Sequence, residues 1–193
     1  MSIQSVCVFC GASPGGSAAY RSAATALGTL FGENSVQLVY GGGGSGLMGI
    51  IADSVLESGG KVIGVIPDYL KERELGHQRL TRLEVVSSMH DRKRRMFDLA
   101  DGIVVLPGGV GTLEEALEVI TWKQLGMHNK PIIILNVQQY WQKLDELIAA
   151  TIEHGFAAPP TRDLYELVGS TSEVLPTLER MHQNPINTDL ARL

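Results

Sequence analysis

Short apolar runs and helical patterns alternate along this chain, and this alternation constrains its fold more than any other feature. The apolar residues within each run are continuous, which is typical of strands buried on both faces. Between the runs, apolar residues recur with the spacing of one helix face. Strands are predicted at residues 5–10, 37–40, 61–66, 102–106 and 131–135, with a weaker one at 83–86, and helices at 18–31, 47–57, 89–100, 113–125 and 141–154.

This β-α alternation predicts an α/β fold, a doubly wound parallel β-sheet flanked by helices on both faces. With 193 residues, 44% of them hydrophobic, the chain can bury one sizeable core. Neither a repeat nor a linker interrupts it. We therefore expect a single domain over residues 1–193, with a loosely ordered tail from about residue 182, and the polar segment 67–82 could be a loop over the site.

Composition and charge exclude several classes of protein. The net charge of −5 argues against a protein that coats nucleic acid. The first residues lack the charged and apolar regions of a signal peptide, and no apolar run approaches the roughly 20 residues needed to span a bilayer. We expect a cytoplasmic protein that binds neither nucleic acid nor membrane. Cys7 and Cys10 lie three apart on a predicted strand and point to opposite faces, so a disulfide between them is not expected.

Glycine-rich turns follow three of the predicted strands. These turns read CGASPGG, YGGGGSGLMG and LPGGVGTLEE, whereas the other two strands end in IPDYL and LNVQQYW. In open α/β sheets, ligands bind beyond the carboxyl ends of the strands. We therefore expect the glycine-rich turns to meet at one edge of the sheet and to form a binding site there.

Residues 40–49, YGGGGSGLMG, contain GxGxxG-like spacings just before a predicted helix. Bare backbone at such a point lets N–H groups approach an anion, helped by the helix dipole. The dinucleotide fingerprint requires this pattern in the first βα unit. Here the pattern lies in the second unit, so NAD binding is disfavoured, and the glycines could instead only permit tight turns. From these turns we take Ser13, Gly42 and Gly43 as candidate substrate-binding residues.

Residues 106–115, LPGGVGTLEE, join another predicted strand to a helix. Pro107 ends the strand, and the glycines let the backbone bend close to a ligand. Thr112 is a plausible N-cap with Glu115 at the N3 position, as in a capping box, and this would give Glu115 a purely structural role. A Walker A motif is excluded because no GK[ST] follows.

Residues 87–97, SSMHDRKRRMF, form a basic segment with helical spacing. Arg92 and Arg95 are neighbours on one face of that helix. They could form a solvated basic face or pair with carboxylates of the protein itself. Alternatively, an arginine here could face a phosphate, because guanidinium matches phosphate in a two-point fork.

Together these motifs resemble those of the LOG family, the cytokinin-activating phosphoribohydrolases once described as lysine decarboxylases. The family hallmark PGGxGTxxE is present at residues 107–115, and its companion is MHDRK at residues 89–93, continuing to Met96. The stretches VFCGASPG, YGGGGSGLMG and EVITWKQLG are also similar to those of the family. The resemblance covers residues 6–137 and extends less distinctly to residue 168.

This resemblance implies a Rossmann-like fold, usually in a homodimer with active sites at or near the dimer interface. It implies hydrolysis of the N-glycosidic bond of N6-modified adenosine 5′-monophosphates, which releases the free base and ribose 5-phosphate. Arg92 and Glu115 would be catalytic. The nucleotide site would be lined by Arg92, Lys93, Gly108, Gly109, Val110, Gly111, Thr112, Leu113, Glu114, Glu115 and Thr121, with Glu74 of the polar loop as a further match.

The implied chemistry suits a carboxylate beside an anion-binding turn. Breaking a C1′–N bond builds positive charge on the ribose, as in glycoside hydrolysis. A carboxylate there stabilises the cation or takes a proton from water, and such base assistance typically contributes ~10²–10⁴-fold. As a hypothesis, Glu115 performs this chemistry and Arg92 positions the substrate and balances charge. The alternative carboxylate is Glu114, which points about 100° away on the helix.

Several features of the reaction stay open at this level. Asp91, His90 or Asp68 could protonate the leaving base, and the sequence does not decide between them. No metal-binding cluster and no cofactor-lysine motif is visible in the sequence, so we expect hydrolysis without a cofactor or metal. The residues that could receive an N6 side chain, which core packing explains equally well, are Met48, Trp122 and Met127.

Three other functions compete with this prediction. Decarboxylation of lysine would need pyridoxal phosphate on a Schiff-base lysine, and Lys93 lies between arginines without an evident partner set. A non-enzymatic nucleotide-binding module of the same fold is the second, because fold does not fix function. The third is an AMP nucleosidase, which keeps the chemistry but acts on AMP itself.

Overall fold

The computed structural model describes residues 3–71 and 76–186. Within them, strands and helices alternate, except that only the short 3-10 helix Asp68–Leu70 separates the third strand from the fourth. The strands are β1 (Ser5–Phe9), β2 (Gln37–Tyr40), β3 (Val62–Pro67), β4 (Arg82–Val86), β5 (Gly102–Val105), β6 (Ile132–Leu135) and β7 (Glu166–Val168). The helices are α1 (Ala18–Glu33), α2 (Gly46–Glu57), α3 (Met89–Asp98), α4 (Val110–Gln124), α5 (Gln142–Glu153) and α6 (Val174–Gln183).

All seven strands pair in parallel in one sheet, in the order β4-β3-β2-β1-β5-β6-β7. The chain therefore starts at the centre of the sheet and builds outward to β4. It then returns to the other side of β1 and builds outward again to β7. This confirms the predicted doubly wound parallel sheet and places the topological switch point between β1 and β5.

Side chains from the two faces of the sheet form two separate cores. On β1, Val6 and Val8 point to the face covered by α1, α2 and α6, together with Cys10 just beyond the strand. Cys7 and Phe9 point to the face covered by α3, α4 and α5. The two cysteines thus lie on opposite faces as free, buried thiols, which confirms the prediction made from their spacing.

Each of the six predicted strands corresponds to a strand of the structure, but β7 and α6 were not predicted. β7 has only three residues, Glu166–Val168, and so lacks an extended apolar run. In α6, Pro176 occupies the first turn, where proline is tolerated because no intrahelical N–H bond is required there. The predicted tail begins at about residue 182, whereas α6 continues to Gln183 and residues 187–193 lie outside the described part.

The polar segment after β3 is fastened to the body of the domain. Gly76 forms an antiparallel bridge with Gly43. Beside it, His77 is buried and its Nε2 lies 3.0 Å from Oδ1 of Asp53 on α2. Residues 72–75 of this segment lie outside the described range. Among the described helices, none is long and apolar enough to cross a membrane.

Candidate active site

A cavity opens at the switch point, where the chain leaves β1 and β5 in opposite directions. Gly11 N donates to Pro107 O over 3.1 Å, and Leu106 N donates to Phe9 O over 2.9 Å, so the two turns run side by side. The cavity has a volume of about 300 Å³. Its place matches the general rule that ligands of open α/β sheets bind at a switch point.

Both polar and apolar groups line this cavity. The side chains of Arg92, Thr112, Glu114 and Glu115 supply the polar part, and three methionines contribute to the apolar part. The structure therefore brings the two predicted catalytic residues into one cavity. The full lining consists of Val8, Phe9, Cys10, Gly11, Ala12, Gly41, Met48, Met89, Arg92, Met96, Gly109, Gly111, Thr112, Glu114 and Glu115.

Arg92 reaches the cavity from α3 and is only 5% exposed. Its Nη2 donates to the carbonyl oxygen of Gly41 over 2.8 Å, and its Nη1 lies 3.7 Å from the sulfur of Met89. A Cβ atom on Gly41 would lie 2.0 Å from Nη2 of Arg92. Glycine at this position is therefore what lets the guanidinium dock against the end of β2.

Helix α3, which carries Arg92, begins with a capped turn. The Ser88 hydroxyl accepts a hydrogen bond from Asp91 N over 3.1 Å, and Ser87 and Ser88 both donate to the Asp91 carboxylate. These hydrogen bonds, that from Ser87 first, hold the pKa of Asp91 below its usual range. An ionised carboxylate that accepts hydrogen bonds from two hydroxyl groups is a poor proton donor, so Asp91 is not favoured as the acid for the leaving base.

Helix α4 begins earlier than its apolar spacing predicts. Its first residue is Val110 and its N-cap is Gly109, which has no side chain to bond the first N–H groups. The predicted N-cap at Thr112 is therefore wrong, and so is the capping box with Glu115. Thr112 instead lies in the first turn, buried, and Glu115 lies beyond that turn. First-turn N–H groups without a side-chain cap are suited to bind an anion at this end of the cavity.

The three glycines of this turn have different physical roles. A Cβ atom on Gly108 would lie 2.1 Å from Oγ1 of Thr112 and 2.9 Å from Gly11 N, so glycine is needed there for packing. At Gly109 and Gly111 an added Cβ atom would meet no protein atom within 4 Å. Internal packing does not require glycine at these two positions, and their bare backbone leaves the cavity open to a ligand.

Lys93 does not line the cavity, and its side chain joins α3 to α4. Its buried ammonium donates to Glu114 over 2.5 Å and to Glu118 over 3.0 Å. Burial acts to lower the pKa of Lys93, but the hydrogen bonds to these two carboxylates outweigh it and raise that pKa. Glu114 is therefore held by a structural ion pair, although it also borders the cavity.

Glu115 and Arg92 carry opposite charges at the floor of the cavity beside Cys10. Burial raises the pKa of the Cys10 thiol, the charge of Glu115 raises it further, and the charge of Arg92 opposes this. The same two charges act in the same directions on the pKa of the buried Cys7 thiol, which lies on the other face of the sheet. The charges of Glu115 and Arg92 therefore both affect these thiols, in opposite directions. Burial keeps the two thiols protonated.

Ser13 and Gly108 line a second cavity, of about 400 Å³, that shares Gly11, Ala12 and Gly109 with the first. The hydroxyl of Tyr140 donates to the carbonyl oxygen of Gly108 over 2.5 Å and so fastens the β5 turn. The sequence pattern did not single out Tyr140, although it lies in the noted LNVQQYW stretch. Nothing in that stretch indicates a contact 32 residues away.

The other predicted binding residues lie outside the first cavity. Gly42 has φ +77° and accepts from His77 N through its carbonyl oxygen, and Gly43 forms the bridge to Gly76. The member of the glycine run that lines the cavity is Gly41. Leu113 packs against the core, Val110 is 82% exposed, and Thr121 is exposed with its hydroxyl donating to Leu117 O. Glu74 lies outside the described residues.

Of the three side chains considered as contacts of an N6 substituent, only Met48 lies at the cavity. Met48 lines the cavity, whereas the Trp122 ring packs edge-on against Phe97, 5.3 Å between centroids, in the core. Met127 is 60% exposed beyond the end of α4. Met89 and Met96 line the cavity together with Met48, and helical spacing alone does not separate them from core residues.

Comparison with known proteins identifies the family. The family model described as "Possible lysine decarboxylase" matches residues 48–178. Cytokinin riboside 5′-monophosphate phosphoribohydrolase LOG1 of Arabidopsis thaliana is 45% identical over 174 residues, which cover 90% of this chain and 82% of that protein. The chain belongs to the LOG family. A probable phosphoribohydrolase of the family in Oryza sativa, LOGL5, is 44% identical over 188 residues, covering 97% and 76% of the two chains.

Two solved structures show that the fold extends beyond the LOG family. The molybdenum cofactor carrier protein of Chlamydomonas reinhardtii has a TM-score of 0.68 at 14% identity, covering 93% of this chain and 98% of that one. The molybdenum cofactor binding protein of Rippkaea orientalis has a TM-score of 0.70 at 16% identity, with 94% and 98% covered. At these identities the likeness concerns the fold alone.

In the described part of this chain, no group of three His, Cys, Asp or Glu residues could hold a metal ion.

The capped start of α3, the helix that carries Arg92, can be tested by its contribution to the stability of the fold. Ser88→Ala removes the side chain that accepts from Asp91 N, and should lower the free energy of unfolding by about 1 kcal/mol. The control is Ser87→Ala, which loses a bond to the Asp91 carboxylate but no backbone cap, and should cost clearly less. Urea unfolding followed by circular dichroism measures both, and equal losses would contradict the assignment of Ser88 as the cap.

Proposed function

We propose that this chain hydrolyses the N-glycosidic bond of N6-modified adenosine 5′-monophosphates, such as cytokinin riboside 5′-monophosphates, to free base and ribose 5-phosphate. The observation that carries the proposal is the convergence of Arg92 and Glu115 in the switch-point cavity. Membership of the LOG family supports it, because relatives at about this identity are named as phosphoribohydrolases of these nucleotides.

The 5′-phosphate would bind at the start of α4. Gly109 and Gly111 leave the backbone open there, and the first turn of the helix, which borders the cavity, carries N–H groups without a side-chain cap. The guanidinium of Arg92 lies across the same cavity and adds a positive charge. This arrangement would bind a nucleotide monophosphate by its anionic end and hold the ribose between the anion site and the carboxylates.

Glu115 would act on the ribose. As the bond between C1′ and the base nitrogen breaks, positive charge develops on the sugar, and a nearby carboxylate stabilises it. The same carboxylate can take a proton from the attacking water, whose oxygen forms the new bond to C1′. The bonding electrons leave with the base, which takes up a proton. Arg92 would position the substrate and balance the charge of Glu115.

The positions of the two carboxylates favour Glu115 over Glu114 for this role. Glu114 is half-exposed and is bound by the Lys93 ammonium, which joins α3 and α4. Glu115 is half-buried at the cavity and acts electrostatically on the thiol of Cys10 at its floor. A carboxylate in such a place is shielded from water and close to where the sugar would bind.

A direct experiment separates this function from its two nearest alternatives. The purified protein is incubated with N6-isopentenyl-AMP and with AMP, and free base and ribose 5-phosphate are followed by chromatography. Faster base release from the isopentenyl nucleotide is expected. Faster release from AMP would indicate an AMP nucleosidase, and tight binding without release would indicate a nucleotide-binding module.

Replacing the two adjacent glutamates tests the catalytic assignment. Glu115→Gln keeps the size of the side chain but removes its charge, and should lower kcat for base release by ~10²–10⁴-fold while nucleotide still binds. Glu114→Gln loses a half-exposed ion pair worth about 1 kcal/mol or less and should retain most turnover. Steady-state kinetics of both variants is the measurement, and a larger loss in Glu114→Gln would reverse the roles.

We also propose that two copies of the chain associate through the outer face of α4. Val110, Leu117 and Leu125 lie along one side of this helix and are exposed by 82%, 42% and 56%. Thr121 lies on the same side, and the first turn of the helix borders the cavity. A second copy bound here would cover the apolar side chains and bring Thr121 and the cavity rim to an interface, as the family resemblance implies.

A charge placed on this face should separate the two copies. Leu117→Glu should convert a dimer into a monomer, because an unpaired carboxylate is costly to bury in an apolar contact. The matched control is Leu147→Glu on α5, where the leucine is 63% exposed outside this face. Sedimentation or light scattering gives the masses, and a Leu117→Glu protein that stays dimeric would rule out this interface.

A further inference from the structure

A separate cavity of about 350 Å³ lies at the amino-terminal end of β7, whereas the candidate active site lies beyond the carboxyl ends of β1 and β5. It opens where β7 begins and where α4 and α6 end. Lys123 of α4, Arg162, Tyr165, Arg180 and Asn184 contribute to its walls, together with the carboxylates of Asp163 and Glu166. The proposed hydrolysis uses none of these residues.

Lys123 is the unusual member of this set. It is only 2% exposed and extends from the same side of α4 as Ala116 and Ile120, which pack into the core. Within residues 3–71 and 76–186, no hydrogen bond or ion pair joins its ammonium to another group. Lysine is almost never fully buried unless it is paired, because a buried charge without a partner destabilises the folded chain.

The two arginines of the cavity already have carboxylate partners. Arg162 donates to Asp145, whose carboxylate also accepts from Tyr165, and Arg180 is paired with Glu166. Each of these pairs is close to neutral as a unit. Arg162 and Arg180 nevertheless stay partly exposed at the cavity, so they retain N–H groups that can donate to a ligand.

The charge state of Lys123 follows from the same surroundings. Burial lowers its pKa to about 8, and no nearby carboxylate counteracts that change, although Asp163 and Glu166 also line the cavity. His128 lies close enough for Lys123 to affect it, but burial lowers the pKa of this histidine to about 4. At neutral pH the histidine is therefore uncharged, and Lys123 is mostly a cation.

We propose that this cavity binds a small oxyanion, a phosphate or carboxylate group, through the ammonium of Lys123 with further donors from Arg162 and Arg180. The anion supplies the opposite charge that Lys123 lacks among the described residues. A volume of about 350 Å³ holds such a group together with a small carbon skeleton. The site lies apart from the nucleotide cavity, so its occupation does not depend on the proposed hydrolysis.

The test uses inorganic phosphate and measures the titration of the Lys123 ammonium. Lysine side chains of the full chain are labelled with ¹³C at Cε, and the Lys123 signal is assigned by its loss in Lys123→Met. Its titration is followed by NMR in chloride and in phosphate at equal ionic strength. Phosphate should raise the midpoint of Lys123 by about one pH unit or more, because a nearby opposite charge favours the ammonium.

Lys130 provides the control within the same spectra. It is also partly buried, but its ammonium donates to Phe97 O and lies over the Phe97 ring, outside this cavity. Its midpoint should be the same in both salts. Phosphate bound at the nucleotide cavity would leave Lys123 unchanged, so the two sites are distinguished. A Lys123 midpoint that phosphate does not move, or that is already that of an exposed lysine in chloride, would overturn the proposal.

A second measurement does not depend on the titration. Lys123→Met keeps most of the length of the side chain and removes its charge, so the variant should melt at the same or a higher temperature in chloride. The stabilisation that phosphate gives the wild-type chain should be smaller in this variant, by linkage of binding to folding. The control variant Lys130→Met should keep the full phosphate effect. Equal phosphate effects in Lys123→Met and wild type would contradict the site.

Discussion

The contact between the Arg92 guanidinium and the Gly41 carbonyl determines how the candidate active site is assembled. A buried guanidinium needs hydrogen-bond acceptors, and the end of β2 supplies one only because position 41 has no side chain. The next residue along α3, Lys93, holds Glu114 and Glu118 of α4. Two consecutive basic residues thus fasten one helix to both walls of the cavity, which fixes the distance between the positive and negative sides of the site.

Much of the fold could be predicted because a parallel sheet buried on both faces requires continuous apolar strands. The runs that became β1, β2, β3, β5 and β6 satisfy that requirement, and glycine-rich turns mark the carboxyl ends of β1, β2 and β5. β7 and α6 could not be recognised because the edge of the sheet needs only three paired residues and a proline-containing helix to cover it. The start of α4 was misplaced because glycine, rather than a capping side chain, precedes it.

The site was predicted less completely than the fold. The resemblance to the LOG-family motifs singled out Arg92 and Glu115, and the structure places both in one cavity. Spacing could not show which glycine of the run at 41–44 meets the guanidinium, since that depends on how α3 packs against β2. It also could not show that Lys93 faces α4 or that Tyr140 reaches the β5 turn. Such contacts depend on tertiary packing, which short sequence motifs do not describe.

The most direct test of this account is the activity of Gly41→Ala. The added methyl group would lie 2.0 Å from Nη2 of Arg92 and must displace the guanidinium. We predict that kcat/KM for base release from N6-isopentenyl-AMP falls by about 10²-fold, as expected for a misplaced catalytic group. Gly16→Ala, where the methyl group meets open space, should keep normal activity. Normal activity in a folded Gly41→Ala protein would contradict the claim that Arg92 in this position organises the site.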